Sequence, residues 1–464
     1  MAFIKSIGLP RQKPGGPTCR RRPRVPSMQL PGPRLENRKS PLAIESETLV
    51  SWLEENGMYL SKEATWGRPR HPMGVANETT DEGESSGRGL VAVKGIVQGE
   101  PLFEVPFEVV LTKQRALEEI PELPEDVNEY IAIATLLIQE RSRGDASFWK
   151  PYLDVLPKDE DIIPLFRWSE DDMLLLQGSP CQAAARSLRG KLVSEFATAE
   201  ETIYAPNRRK FPDDVFTWDQ WEWAFAILFS RAIMLTAEQR IALVPYADLL
   251  NHNPFCSTYI DVQEKQLTGK RFVTLYTDRP YAQMDQVFVT YGPKSNGDLL
   301  LLYGFITDRN PYDSVELVVA LSDEDELFER KKKYLDESGV GTTATFPLYS
   351  DRYPMELIEF LRFCVAGEDE LDNGDFGDFM NEDNETLVAK TLISACQDAL
   401  AAYPQSREED DKLIADRSMY KMFAQKQRWA IRQRRAEKRI LERTIANIER
   451  EITDPTFMFT ESKE

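Results

Sequence analysis

The sequence predicts an α+β fold in which one β-rich unit is split by a long helical insertion and followed by an all-α C-terminal region. Three observations carry that prediction. Strand-like sequence runs over residues 87–111 and returns at Phe272–Tyr276 and Gln286–Tyr291. Between these blocks, from Asn128 to about Phe229, the apolar residues recur at helical spacing. Beyond Asn310 the pattern is mostly helical again. At 464 residues the chain is too long for one ordinary core, so two or three domains are expected.

The elements follow in order. Residues 1–40 hold ten Lys/Arg against one acid, Glu36, a charge of +9 that leaves −29 on the rest of a chain whose net charge is −20. A basic, acid-poor leader has the composition of a transit segment; a disordered tail is the alternative. Thr48–Gly57 predicts a helix with Leu49, Trp52 and Leu53 on one stripe and Gly57 as its stop. Residues 62–86, rich in Gly, Pro, Asn and acids, are expected to be loop. Gly87-Arg88-Gly89 opens the strand Leu90–Val93, Lys94–Glu100 turns, and Pro101–Leu111 supplies further strand. Asn128 can cap a helix carrying Ile131, Ile133, Leu136, Leu137 and Ile138. Further helices are expected at Ser169–Leu176, Cys181–Thr202 and Thr217–Thr236. In the tail, Gly367–Glu385 predicts an exposed acidic loop, and Asp410 to about Ile452 one long helix whose basic later part is a solvated face.

Composition narrows the function. The acidic body argues against nucleic-acid binding, which needs a basic footprint, and suits either a basic protein substrate or plain solubility. No apolar run approaches the roughly 20 residues of a membrane span. The five cysteines form no C-x-x-C or C-x-C pair, which is the wrong spacing for a thiolate zinc cluster and unpromising for a disulfide framework. With only His71 and His252, a multi-histidine metal centre is ruled out.

Three motifs could carry chemistry. Gly87-Arg88-Gly89 precedes a strand instead of opening a helix, so it is no dinucleotide fingerprint; a plain β-turn and a turn whose backbone approaches a ligand both remain. Asn251-His252-Asn253-Pro254 ends the apolar run Val244–Leu250, and its polar groups must find hydrogen-bond partners, structural or otherwise. Val289-Thr290-Tyr291-Gly292 and Tyr303-Gly304-Phe305 place two tyrosines twelve residues apart, each before a glycine. A neutral phenol can orient an uncharged amine; aromatic core packing is the alternative reading.

These pieces, in this order and with a helical block after the first, resemble the SET-domain methyltransferases, and in detail the Rubisco large-subunit lysine methyltransferase subgroup. The seven ordered matches are LVSWLEENG, SGRGLVAVKGI, FWKPYLDVLP, LLLQGSP, WEWAFAILFSRA, VPYADLLNHNP and VTYGPKSNGDLLLLYGF, spanning Leu49–Phe305. A looser likeness, EKRILERTI at Glu437–Ile445, extends into the tail. The resemblance implies a SET-domain β-fold with a pseudoknot, the chain threading near Asn251–His252. It also implies a leader over 1–45, a SET domain over 46–310 with its insertion at about 115–238, and a helical substrate-binding domain over 311–455.

The same resemblance implies S-adenosylmethionine as cofactor and a lysine of a non-histone protein as acceptor. The partner would be the Rubisco large subunit or another plastid or cytosolic protein, with no nucleic acid and no membrane, and the enzyme is expected to be a monomer. The chloroplast is the implied location, the cytoplasm its alternative. Histidine methylation on the same scaffold, or a non-catalytic SET-type binding module, are the competing functions. Carried over by motif, the backbone of Ser86, Gly87 and Arg88 would hold the cofactor's methionine end, and Arg231 would meet its carboxylate and border the substrate. Asn251 and His252 would also contact cofactor. Tyr291 would be the catalytic tyrosine and touch cofactor, Tyr303 and Phe305 would line the lysine channel, and Leu235 and Asp248 would border the substrate. Two departures stand out: Ser86 where the family often has Glu, and Asn253 where Ser is usual.

Overall fold

A computed structural model describes residues 41–58, 71–81, 84–266, 268–452 and 459. The expected basic leader lies almost wholly outside them. Helix α1 (Pro41–Glu55) begins earlier than the stripe of Leu49, Trp52 and Leu53 suggested, and buries those three side chains. Strands β1 (Met73–Asp81) and β2 (Glu84–Ala92) pair antiparallel. The expectation of loop over 62–86 is therefore corrected for its described part. The polar composition of β1 hid a strand whose register with β2 is interrupted at Ala76/Thr79 and Thr79/Thr80.

After β3 (Pro101–Pro106) come the insertion helices: α2 (Glu129–Ser142), capped by Asn128, α3 (Pro180–Ala199) and α4 (Trp218–Arg231), capped by Thr217. The helix expected to reach Thr236 stops at Arg231, where the chain extends into β4 (Ile233–Leu235) and hairpins to β5 (Arg240–Ala242). Then follow β6 (Asn251–His252), β7 (Tyr259–Lys265), β8 (Lys270–Tyr276) and β9 (Gln286–Val289). One sheet has the order β1-β2-β9-β6 and another β3-β8-β7. Within the first, β6 lies parallel to β9 through Asn251↔Phe288 and His252↔Val289, although β1·β2 and β2·β9 are antiparallel. A two-residue strand thus joins distant segments at one point, and the asparagine–histidine pair is that strand.

The C-terminal region is helical, with one correction to the all-α expectation: it opens on a hairpin, β10 (Ser314–Ala320) with β11 (Thr343–Tyr349). Helices α5 (Met355–Val365) and α6 (Glu382–Ala401) pack against it and against the 27-residue α7 (Gln425–Glu451). The single helix expected from Asp410 is three, since Arg407–Ala415 and Arg417–Met422 precede α7. The basic stretch of α7 is not simply a solvated face. Arg434 and Lys438 are buried and pair with Asp410, and Arg434 also donates to the Leu175 carbonyl. The acidic segment Gly367–Glu385 is likewise no mere loop, because Asn384 and Glu385 are buried on α6.

One core lies between α1, the sheets and the insertion helices, a second within the C-terminal helices. A smaller cluster joins them: Trp168, Met173 and Leu176 from the insertion, Leu300 and Ile306 from the segment after β9, and Trp429 and Ala430 from α7. Among the described residues no helix is long and apolar enough to cross a membrane.

Candidate functional site around Tyr291

Helix α4 delivers the first group. Its buried face (Trp221, Phe225, Leu228) fixes its axis, and Arg231 stands in its last turn, where the backbone carbonyls favour a cation. The Arg231 guanidinium donates to the Asp248 carbonyl at 2.9 Å and approaches the Asp248 carboxylate at 3.5 Å. Tyr152 donates to that same carboxylate at 2.8 Å. Burial pushes the Asp248 carboxyl above its ordinary range, while Arg231 and Tyr152 oppose the shift. Asp248 follows Tyr246, a non-glycine residue at φ +74°, whose fully buried ring and hydroxyl bond to the Met73 carbonyl hold the strain. Such a conformation costs on the order of 1–3 kcal/mol and persists only where its surroundings over-determine it.

The second group is the β1–β2 turn. Thr79 donates its hydroxyl to the Gly87 carbonyl at 2.9 Å and accepts from Asn251 and Gln286. Asn251 also donates to the Arg88 carbonyl at 3.2 Å, so β6 is tied to the G-x-G segment by side chain as well as by sheet. A Cβ on Gly89 would meet the Asn251 amide nitrogen at 2.7 Å, so a larger residue there would push that side chain from its bonds to Thr79 and Arg88. Gly87, at φ +68°, has open space where its Cβ would be. Arg88 donates to the Val155 carbonyl at 2.7 Å, and burial and the like charge of Arg231 lower its pKa.

The third group is aromatic. Tyr291, just past β9, is stacked between His252 (ring centroids 5.0 Å apart) and Tyr303 (4.9 Å), with Phe305 edge-on at 6.4 Å. Ser295 caps the short helix Asn296–Asp298, which runs into a π-helical turn, Leu299–Tyr303, closed by Gly304 at φ +74°. That widened turn brings Tyr303 and Phe305 round to Tyr291. The Tyr291 hydroxyl donates to the Leu250 carbonyl at 2.8 Å, and burial pushes its pKa up to about 12. Tyr303 is raised for the same reason. A phenol so placed stays neutral, has its proton committed, and keeps oxygen lone pairs with which to accept from an incoming N–H.

His252 is neutral as well. Its Nδ1 accepts the backbone N–H of Tyr291 at 3.0 Å, which puts the ring proton on Nε2, and burial lowers its pKa from 6.5 to about 4. The folded state therefore resists protonation of this group. Its stabilising contribution is whole above pH 6.5 and is lost as pH falls towards about 4, roughly 3 kcal/mol at 1.36 kcal/mol per unit. Chemical denaturation of wild type and His252→Gln between pH 4 and 7 checks this: the wild type should lose more stability on acidification.

Four buried polar atoms of this region have no partner among the described residues: Arg231 Nε, Asp248 Oδ1, His252 Nε2 and Gln286 Oε1. Leaving such atoms unsatisfied costs about 1–3 kcal/mol each, so the arrangement suits a polar ligand. Contacts thus connect Gly87, Arg88, Arg231, Asp248, Asn251, His252, Tyr291, Tyr303 and Phe305. Ser86 contributes described backbone only, within β2, and Leu235 is a fully buried core residue on β4. Sequence reasoning missed Thr79 and Tyr152. Thr79 sat in a segment read as loop; Tyr152 lay inside the quoted FWKPYLDVLP stretch, with nothing local to pair it with a carboxylate 96 positions away.

Comparison with known proteins places this geometry. The SET domain family model matches residues 87–292, and the Rubisco LSMT substrate-binding model matches residues 322–441. The chain is 31% identical, over 80% of its length and 75% of the relative's, to a ribulose-1,5-bisphosphate carboxylase/oxygenase large subunit N-methyltransferase, chloroplastic, of Nicotiana tabacum. It is 27% identical to an actin-histidine N-methyltransferase of Xenopus tropicalis, over 77% of this chain and 64% of that one. A crystal structure of the SET domain of LSMT bound to lysine and AdoHcy superposes with a TM-score of 0.74 at 28% identity, covering 89% of this chain and 92% of that one.

Proposed function

We propose, for a chain that belongs to the SET-domain protein methyltransferases of the Rubisco large-subunit type, that Tyr291 is the residue around which methyl transfer is organised. The enzyme is an S-adenosylmethionine-dependent protein-lysine N-methyltransferase. The observation that carries the role of Tyr291 is its hydroxyl, fixed on the Leu250 carbonyl while the ring is stacked between His252 and Tyr303.

The residues present fit the cofactor. The open left-handed turn at Gly87, with Ser86 and Arg88, would hold the methionine end through backbone groups. Arg231, with Nε unsatisfied, would meet the carboxylate, and Asn251 and His252 Nε2 supply further polar contacts. Bound S-adenosylmethionine would supply a sulfonium methyl that an uncharged amine can take, its lone pair forming the new N–C bond as the S–C bond breaks and the thioether leaves with that electron pair.

The rest belongs to the protein. A lysine passing Tyr303 and Phe305 meets aromatic walls with no counter-charge, so its ammonium loses its proton more readily than in water. Tyr291 does not take that proton, since at neutral pH its own phenol is protonated. Its oxygen accepts one N–H of the neutral amine and thereby aims the lone pair, a positioning effect. Asp248, its carboxylate already shared by Arg231 and Tyr152, would border the incoming side chain without offering it a free counter-charge, and Leu235 would back it from the core. With His252 titrating at about 4 and Tyr291 at about 12, the pH profile of turnover between 6 and 9 should follow the substrate amine alone.

The division into a catalytic part over 46–310 and a substrate-binding part over 311–455 agrees with the separate cores and the two matched families. A protein of the plastid is the proposed substrate, supported by the chloroplastic relative and the basic composition of residues 1–40. Incubation with labelled cofactor and a plastid extract, followed by mass spectrometry of the labelled residue, tests acceptor and substrate together. Label on histidine would transfer the chain to the activity named for its Xenopus relative. Calorimetric titration showing no S-adenosylmethionine binding at millimolar concentration would remove the enzymatic reading.

Arg231→Ala should weaken cofactor binding by roughly 1.5–3 kcal/mol, the scale of a hydrogen bond to a charged group. The same titration reads it.

A further inference from the structure

Strand β10 has one partner and one open edge. Leu321 N–H donates to the Thr342 carbonyl, which fixes the phase of the antiparallel ladder beyond it. Val315, Leu317 and Val319 therefore direct their backbone groups to β11, and Glu316, Val318 and Ala320 direct theirs away. Pro347 opposite Glu316 agrees with this phase, because a residue without an N–H belongs at a non-bonded pair. Among the described residues no group bonds the outward N–H of Glu316, Val318 or Ala320. The side chains of Val315, Leu317 and Val319 are buried beneath, while that of Val318 is 57% exposed. Proteins usually blunt such an edge with lysine, proline or a covering element, and none of these stands on β10.

A groove of about 560 Å³ runs along this edge. Six consecutive residues, Val315–Ala320, line it, so it follows the strand's side and not one face of the hairpin. Gly178–Pro180 of the insertion line it as well, and so does α6 with side chains that include Ser394 and Ala395. Neighbouring strands sit about 4.8 Å apart. Glu316 and Asp398 are its charged lining residues; there is no Lys or Arg in the lining, and neither carboxylate is in an ion pair among the described residues. Two lining residues, Pro180 and Gln182, flank Cys181 in the chain, and Cys181 lies close to Gly297. A Cβ on Gly297 would meet Cys181 Sγ at 2.9 Å, and Gly297 lies in the short helix that leads into the turn carrying Tyr303.

We propose that the open edge of β10 receives an extended, basic segment of the protein substrate as an added strand, main chain to main chain, with Glu316 and Asp398 selecting its positive side chains. This rests on the methyltransferase reading and deepens it.

The test uses the full chain and a blocked octapeptide of alternating lysine and valine, with the glutamate–valine analogue as comparison. The lysine peptide should bind in preference to its analogue and slow amide hydrogen exchange within 314–320. Val318→Pro, which removes an outward N–H at an edge position where proline is tolerated, should weaken binding by about tenfold. The double variant Glu316→Lys/Asp398→Lys should reverse the preference between the two peptides. The proposal falls if the lysine peptide does not bind at millimolar concentration, or if Val318→Pro, shown folded by its melt, binds as wild type. Should Val318→Pro fail to fold, the charge reversal decides: an unchanged preference for the lysine peptide overturns the proposal. S-adenosylmethionine titration of the wild type, run alongside, separates the two readings, because its failure removes the enzyme and leaves the peptide result standing.

Discussion

Tyr291→Phe should lower turnover by about a hundredfold or more, the cost of losing alignment at a reacting atom, while S-adenosylmethionine affinity stays within a few fold. Phenylalanine keeps the ring between His252 and Tyr303, so the stack and the fold should survive. What disappears is one oxygen, the bond to the Leu250 carbonyl and the acceptor that would hold the amine. The change therefore separates positioning from packing. Single-turnover rates with labelled cofactor, beside a calorimetric titration, give the two numbers. Full turnover in the variant would transfer the aligning role to another group of the cluster, Tyr303 first.

The second large effect concerns stability of the C-terminal helices. Arg362 on α5 and Glu385 on α6 are each 1% exposed in their side chains and meet in a two-pronged ion pair, 2.6 and 3.1 Å. The remaining Arg362 donors reach the carbonyls of Phe376, Gly377 and Phe459, and the Phe459 N–H returns to Glu385. Glu385→Ala would leave a buried guanidinium without its counter-charge, at a cost of about 3–5 kcal/mol. Thermal or denaturant unfolding should show that loss, whereas replacing both partners by apolar residues of similar volume should recover much of it. If Glu385→Ala unfolds as wild type, water reaches the guanidinium and the pair contributes little to stability.

The site was legible wherever motif and local pattern coincided. The segments bearing Gly87, Asn251–His252 and Tyr291 were each marked by turn residues or an abrupt change from apolar to polar, whereas Arg231 came from the family motif alone, because its helix was expected to run on to Thr236 and ends at Arg231. Tyr152 and Gln286 were not, since each matters for a group far away in the chain, and Thr79 lay in a segment whose polar composition read as loop. The C-terminal hairpin was lost for a different reason: a helix, Phe328–Glu337, separates its two seven-residue strands, so no short turn marks the pairing. Nor did the basic run of α7 announce that Arg434 and Lys438 turn inward, because inward or outward depends on where Asp410 comes to lie.

By itself the sequence determined the class of fold, the order of its parts, the family and the aromatic and polar residues that gather at Tyr291. Those follow from local propensity, hydrophobic period and short motifs, all of which act between neighbours along the chain. Only the tertiary structure decided that Nδ1 of His252 is an acceptor, that the Tyr291 proton goes to Leu250, that Asp248 is shared by Arg231 and Tyr152, and that β10 keeps an open edge. Each of these is a choice of hydrogen-bond partner or of burial between distant segments. Such a choice exists only after the chain has closed on itself.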